Sequence, residues 1–219
     1  MITFEELAKN KEVQYLIKKA DEYLLALGYT DHGFNHIQNV TQRARMISEK
    51  IGFSKEKIEL TCIASYMHDI GNITGRENHS LAGSLLAFQI LRGLSMDIDD
   101  ICQIVTAIAS HDEYRGDVTD EISAVLIIAD KSDVRRSRVR EKDVLVFDIH
   151  DRVNYAVEKS EVIVMEGNKE LWINLKIDTV ASPVMDYFEI FLNRMILCKK
   201  AAQKLDHAFH LKINDSVLY

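Results

Sequence analysis

The sequence predicts a mainly α-helical protein, with a helical body over residues 1–143 and a small α+β unit over residues 144–219 built from a β-hairpin, a helix and a strand. Three observations carry this reading. Apolar residues recur at helical spacing from Phe4 to Lys131, and the pattern shifts to period two beyond Asp143. The chain also has one proline and nine glycines in 219 residues, few breaks for a chain of this length.

From Phe4 to Leu27 the apolar positions Leu7, Val13, Leu16, Ile17, Tyr23, Leu24 and Leu27 mark an amphipathic helix split near Asn10 and ended by Gly28. A turn, residues 29–33, leads into a helix from about Asn35 to Ile51. After Gly52, Ser54 is placed to cap a third helix through Ile58, Cys62, Ile63, Tyr66 and Met67 as far as Gly71. Further helices are expected at about 79–92, 97–110 and 119–131. In the tail, residues 161–166 and 171–177 alternate around Gly167-Asn168, a hairpin signal. Ser182 as N-cap and Pro183 in the first turn open a helix to about Leu205, and residues 208–213 alternate as a last strand. With no linker or repeat between them, the two parts are expected to pack together.

At 47% hydrophobic and 28% charged residues, the chain can bury a full core. A formal charge of -7 argues against binding to nucleic-acid polymers, whose phosphates need a broad basic surface. Residues 1–6 lack a signal pattern and no apolar run approaches the ~18 residues of a membrane span, so a cytoplasmic protein with no membrane partner is expected. Cys62, Cys102 and Cys198 are far apart within apolar patterns and read as reduced core residues.

The most informative stretch is Tyr66-Met67-His68-Asp69-Ile70-Gly71-Asn72, where a His-Asp pair closes an apolar helix. A carboxylate there faces the negative end of the helix dipole in a buried setting and calls for a cation. Asp130 follows eight residues, seven of them aliphatic, and poses the same question. Lys131 is not its expected partner, because adjacent helix residues diverge. His36, His79 and His111 lie in or beside similar apolar segments. Four imidazoles and two carboxylates form a nitrogen and oxygen donor set suited to iron, manganese or zinc, and a dinuclear centre would account for all six residues.

In this order and context the chain resembles the HD superfamily of metal-dependent phosphohydrolases. The matching residues are His36, the doublet His68-Asp69 and Asp130, in the contexts Asn35-His36-Ile37, His68-Asp69-Ile70-Gly71 and Ala129-Asp130-Lys131. His79 and His111 are similar to the two extra histidines of the dinuclear branch. The resemblance covers about residues 30–140 and implies two divalent metal ions, iron or manganese first, with zinc, nickel or cobalt also compatible. It assigns His36, His68 and Asp130 to one ion, His79 and His111 to the other, and Asp69 as the bridge. Ser110-His111-Asp112-Glu113 is also similar to a motif of the HD-GYP phosphodiesterases, but the Gly-Tyr-Pro signature is absent. The spacing is closer to the HD-type diadenosine tetraphosphate hydrolases, from which the C-terminal unit departs.

The expected function is hydrolysis of a phosphate ester or anhydride, with a small-molecule substrate, a nucleotide first. Asp69, Lys131 and His32 are the candidate catalytic residues. Lys131, Arg135 and Arg138, from the densest basic segment of an acidic chain, are the candidates for substrate phosphate. Asp112 and Glu113 are candidates to orient His111 or Lys131. His150, His207 and His210 receive no role. A mixed-valent diiron oxygenase and a non-catalytic nucleotide sensor share this ligand logic and stay open, as does a homodimer.

Overall fold

The computed structural model describes residues 2–219. Helix α1 (Phe4–Ala8) is held by a capping box between Thr3 and Glu6, and α2 (Lys11–Ala26) starts where the Asn10 side chain accepts from the Glu12 and Val13 amides. α3 (Phe34–Lys50), α4 (Lys55–Met67, capped by Ser54), α5 (His79–Gly93), α6 (Ile98–Ser110, capped by Asp97) and α7 (Glu121–Lys131, capped by Asp120) complete the helical body. The third helix ends at Met67 rather than at Gly71, because residues Ile70–Thr74 tighten into a 3₁₀ turn.

α7 is the axis of the core. Every residue from Ile122 to Lys131 is buried, and α3, α4, α6 and a C-terminal helix, α9 (Val184–Lys204), pack around it. A helix apolar on all sides is stable only when enclosed. Its enclosure brings the ends of its neighbours to the level of Asp130.

The tail adds α8 (Ile149–Ala156) and the strands β1 (Val157–Met165), β2 (Glu170–Ile177), β3 (Ala208–Ile213) and β4 (Ser216–Val217), in the sheet order β1-β2-β3-β4. β1 and β2 pair antiparallel, with Ile163 opposite Trp172. β3 runs parallel to β2, a pairing that α9 makes available as the crossover. The inward residues Leu171, Ile173, Leu175, Phe209, Leu211 and Ile213 are buried and belong to the same hydrophobic core as α7 and α9.

Several details depart from expectation. α8 and β4 were not anticipated. The hairpin closes through a 3₁₀ turn at Glu166–Asn168 followed by Lys169 in the left-handed region. Pro183, not Ser182, occupies the N-cap of α9, and the Ser182 hydroxyl instead donates to Asp186. Cys62 and Cys198 are buried and free, but Cys102 is exposed, since its position in α6 faces away from the core. Among the described residues, no helix is long and apolar enough to cross a membrane.

Candidate metal centre

The candidate ligands all sit at helix ends. His36 lies in the first turn of α3, His68 caps the C-terminus of α4, and Asp69 follows it. His79 is the first residue of α5, His111 caps the C-terminus of α6, and Asp130 is in the last turn of α7. Gly71 makes the convergence possible. A Cβ there would come within 2.0 Å of the His79 carbonyl oxygen and 2.3 Å of the Gly83 amide, so only glycine lets the 3₁₀ turn after Asp69 lie against the start of α5. Asn78, in the left-handed region at φ 61°, then turns the chain into His79.

The four imidazoles are oriented alike. His36 Nδ1 donates to Asp133 Oδ2 at 2.8 Å, His68 Nδ1 to the Ser65 carbonyl at 2.8 Å, His79 Nδ1 to the Arg76 carbonyl at 2.9 Å and His111 Nδ1 to the Ile108 carbonyl at 2.6 Å. Those acceptors carry no proton, so each Nδ1 must. A neutral ring then presents an unprotonated Nε2. The Nε2 atoms face each other in pairs, 3.3 Å apart for His36 and His68 and 3.1 Å apart for His79 and His111.

Asp69 stands between the pairs. Its Oδ2 lies 3.7 Å from His36 Nε2 and 3.5 Å from His68 Nε2, and its Oδ1 lies 3.5 Å from His79 Nε2 and 3.8 Å from His111 Nε2. Asp130 Oδ1 is 3.3 Å from His36 Nε2 and 3.7 Å from His68 Nε2. Buried lone pairs facing one another and facing carboxylate oxygens repel unless a cation lies among them. The donor set therefore fits a metal at His36, His68 and Asp130, and a second close group is formed by His68, Asp69 and His111, with His79 Nε2 facing His111 beside it. The electrostatics show the same demand for positive charge, since Asp69 and Asp130 push the His68 ring upward against its burial. Burial alone would raise the Asp69 and Asp130 carboxyls, yet His68 and His111 beside Asp69, and Lys131 and His36 beside Asp130, hold both well below the carboxylate range. Burial and Arg76 push His79 down to about 2, so its ring is neutral and free to ligate.

Lys131 is placed otherwise than expected. Its ammonium lies 2.7 Å from Asp130 Oδ2 and 2.6 Å from Glu113 Oε2, and only 2% of its surface is exposed. It is the partner of Asp130 after all. Adjacent helix positions diverge for short side chains, but a four-carbon stem at the last turn reaches back. Glu113 in turn accepts from Arg194 Nε of α9 at 2.8 Å, which completes a chain of alternating charge from Asp130 to the C-terminal helix. Arg135 engages Asp133 Oδ1 at 3.0 Å, behind His36. Arg138 is buried, donates to the Asp133 and Asp31 carbonyls, and lines a cleft of about 610 Å³ beside the centre. His32 and Arg76 line the same cleft. His32 donates from Nδ1 to the Thr30 carbonyl at 2.7 Å, and burial, then Arg138 and Arg76, hold its ring well below the usual imidazole range. Its Nε2 is thus an unprotonated acceptor. Asp112 Oδ2 is 3.5 Å from His79 Nδ1, while His150 lies on the cleft wall. A second concavity of about 450 Å³, on the sheet near Lys176 and Lys212, contains none of these groups.

Sequence reasoning did not single out Asp133, Arg76 or Arg194. Asp133 had a signal, since it follows Asp130 by three residues and so by about one helical turn. Arg194 had none, because it meets Glu113 only through the packing of α9.

An uncharacterized protein of the archaeon Methanocaldococcus jannaschii, MJ1020, is 26% identical over an alignment covering 85% of this chain and 79% of that one. A crystal structure described as a predicted HD superfamily hydrolase, from an uncultured Thermotogales bacterium, is 22% identical with a TM-score of 0.46, over 57% of this chain and 68% of the other. Residues 33–152 match the family described as HD domain, and because that stretch is more than half of the 219 residues and holds every donor from His36 to Asp130, the chain belongs to the HD domain family.

Proposed function

We propose that this protein is a metal-dependent phosphohydrolase with a dinuclear centre, and that its substrate is a small phosphate ester or anhydride, specifically of a nucleotide. The observation that carries the reading is the position of Asp69, one oxygen toward His36 and His68 and the other toward His79 and His111, with all four Nδ1 protons engaged elsewhere. His36, His68 and Asp130 would hold one ion and His79 and His111 the other, with Asp69 shared. When bound, such ions supply Lewis acidity toward a phosphoryl oxygen and an acidified water as nucleophile.

The remaining roles belong to side chains. Arg138 and Arg76, on the cleft wall next to the donors, are placed to bind phosphate oxygens. His32, neutral with its proton on Nδ1, can accept a proton at Nε2 or return one to a leaving group. Lys131 does not meet substrate in this scheme. It holds Asp130 in register by engaging the oxygen that does not face the imidazoles, and Asp133 fixes the His36 tautomer in the same way.

The test is a screen of nucleotides and simple phosphate esters with protein stripped of metal and reloaded with iron(II), manganese, zinc, nickel or cobalt. Turnover that a chelator abolishes and that proceeds without oxygen is the expected result. Turnover requiring dioxygen would instead establish the oxygenase alternative, and no turnover with any loaded ion would leave the sensor.

A further inference from the structure

α5 is apolar on two opposite faces. Its inner face, which includes Gly83, Ala87, Ile90 and Leu91, is buried against the body. Its outer face carries Leu81, Leu85 and Phe88, which are 48%, 72% and 39% exposed. At about 100° per residue these three and Arg92 fall within roughly 60° of one another, on the side opposite Gly83 and Ala87. A surface helix turns polar residues outward, and a helix apolar all round is stable when enclosed. Single exposed apolar residues need no explanation, but an ordered stripe over three turns of helix does.

The spacing and the charges say what covers it. Leu81, Leu85, Phe88 and Arg92 are separated by four, three and four residues, the seam spacing of two helices packed side by side. The stripe is self-complementary when a second α5 lies antiparallel to it about a two-fold axis. Leu85 then meets the partner's Phe88 in two central layers, and Arg92 lies where the partner's α5 begins. That end is acidic. Glu77 stands just before α5, exposed, with its ion pair to Arg115 at 3.2 Å open to solvent, and Arg92 forms no ion pair among the described residues. The antiparallel arrangement thus brings an unpaired cation toward an exposed carboxylate at each end, whereas a parallel one would set Arg92 against Arg92. Two other surfaces are less suited to a second copy. α9 also exposes Met185, Leu192 and Ile196, but Glu189 shares their face. The free edge of β1 carries the charged pair Lys159 and Glu161, and its Ser160 carbonyl already accepts from Arg43.

We infer that the outer face of α5 is a homodimer interface, on which a second copy of this chain packs antiparallel through Leu81, Leu85 and Phe88. The seam from Leu81 to Arg92 spans about 16 Å of helix, so the dimer is expected to be reversible and concentration-dependent rather than obligate. Because His79 opens α5, the same contact steadies the helix that carries one of the candidate donors.

Sedimentation velocity of the full chain over a concentration series tests it, and a monomer–dimer equilibrium is the expected result. Leu85→Glu and Phe88→Lys, each placing a charge in the seam, are expected to raise the dimer dissociation constant about 100-fold or more. Mixing these two variants in equal amounts is expected to restore a dimer, because the introduced charges then meet in one central layer while Leu85 and Phe88 meet in the other. Leu192→Glu, on the outer face of α9, is expected to leave the equilibrium as in wild type. A monomer throughout the series overturns the inference. So does a dimer that Leu85→Glu leaves intact, or a mixture of the two folded variants that stays monomeric. Leu85 is the most exposed of the three, so its replacement leaves the core untouched; should Phe88→Lys fail to fold, the contrast between Leu85→Glu and Leu192→Glu decides.

Discussion

The two halves of the centre are built to different standards. Around His36 and His68, two of the three donors are backed by charged side chains, while His68 Nδ1 meets the Ser65 carbonyl. His36 leans on the Asp133 carboxylate, and Asp130 is held from behind by Lys131, which is tied through Glu113 to Arg194. Around His79 and His111 each Nδ1 donates to a backbone carbonyl, with the Asp112 carboxylate farther off at 3.5 Å from His79 Nδ1, and among the described residues the one carboxylate in reach of both Nε2 atoms is the shared Asp69. A carboxylate behind an imidazole raises its basicity more than a carbonyl does, and Asp130 adds a full negative charge to the first half. On the dinuclear reading proposed above, the difference predicts that an ion at His36, His68 and Asp130 would be held more tightly than one at His79 and His111.

The largest effect that could break this picture comes from the residue both halves share. Asp69→Ala is expected to remove both ions and all hydrolytic activity, and to lower the melting temperature to that of chelator-treated wild type. The four facing Nε2 atoms are then left without charge compensation, and ligand binding at 100 times Kd is worth about 2.7 kcal/mol of stability. Metal analysis and calorimetry of the purified variant check it. Two ions per chain in Asp69→Ala would show that the halves are independent sites.

Next in size is the buried ion chain behind the first half. Lys131→Ala leaves Asp130 and Glu113 buried without their common cation, a change that costs about 3–5 kcal/mol in such settings. Denaturant unfolding should show that loss directly. Arg194, 16% exposed on its side chain, is partly hydrated, so Arg194→Ala should cost less. Equal losses for the two would mean that the chain acts as one unit rather than as support for Asp130.

Asymmetry between the halves makes its own prediction. His79→Ala should retain about one ion per chain, held at His36, His68 and Asp130, whereas His36→Ala should lose the tightly held ion. Asp133→Asn, which leaves the His36 geometry in place but removes the charge behind it, should weaken the retained ion about 10- to 100-fold. Competition against a calibrated chelator measures both. Unchanged affinity in Asp133→Asn would remove the basis for ranking the halves.

How much of this was legible in the sequence follows from where the information lies along the chain. The ligands could be read because each is a polar residue at the end of an apolar helix, a local anomaly that needs a cation whatever the tertiary arrangement. The body's helices could be read for the same local reason, since the Asn10, Ser54 and Asp97 caps sit just before their apolar periods. The support was less visible. Helix geometry argues against Lys131 as the partner of Asp130 because it ignores the reach of the lysine stem, and nothing in the apolar pattern marks Asp133 although it shares a turn with Asp130. Arg194 meets the centre and its cleft only after α9 packs, and no spacing in the sequence encodes that meeting.

The smallest expected effect separates two arginines that the sequence could not tell apart. Arg135 and Arg138 lie three residues apart in one basic segment, but Arg135 spends its Nε on Asp133 Oδ1, behind His36, and does not line the cleft. Arg138 lines the cleft, and its Nε and Nη1 are fixed by the Asp31 and Asp133 carbonyls, which leaves Nη2 in a held orientation for a phosphate oxygen. Arg138→Ala should therefore lower kcat/KM by about 1.5–3 kcal/mol, the range of a hydrogen bond to a charged group, with metal content unchanged. Arg138→Lys should recover only part of this, because an ammonium keeps the charge but not the fork that the two carbonyls orient. Arg135→Ala should cost about 1 kcal/mol of stability or less and leave kcat/KM within about twofold of wild type. Equal kinetic losses for Arg135→Ala and Arg138→Ala would mean that the whole basic segment faces substrate, and the distinction between a phosphate arm and a support for His36 would fall.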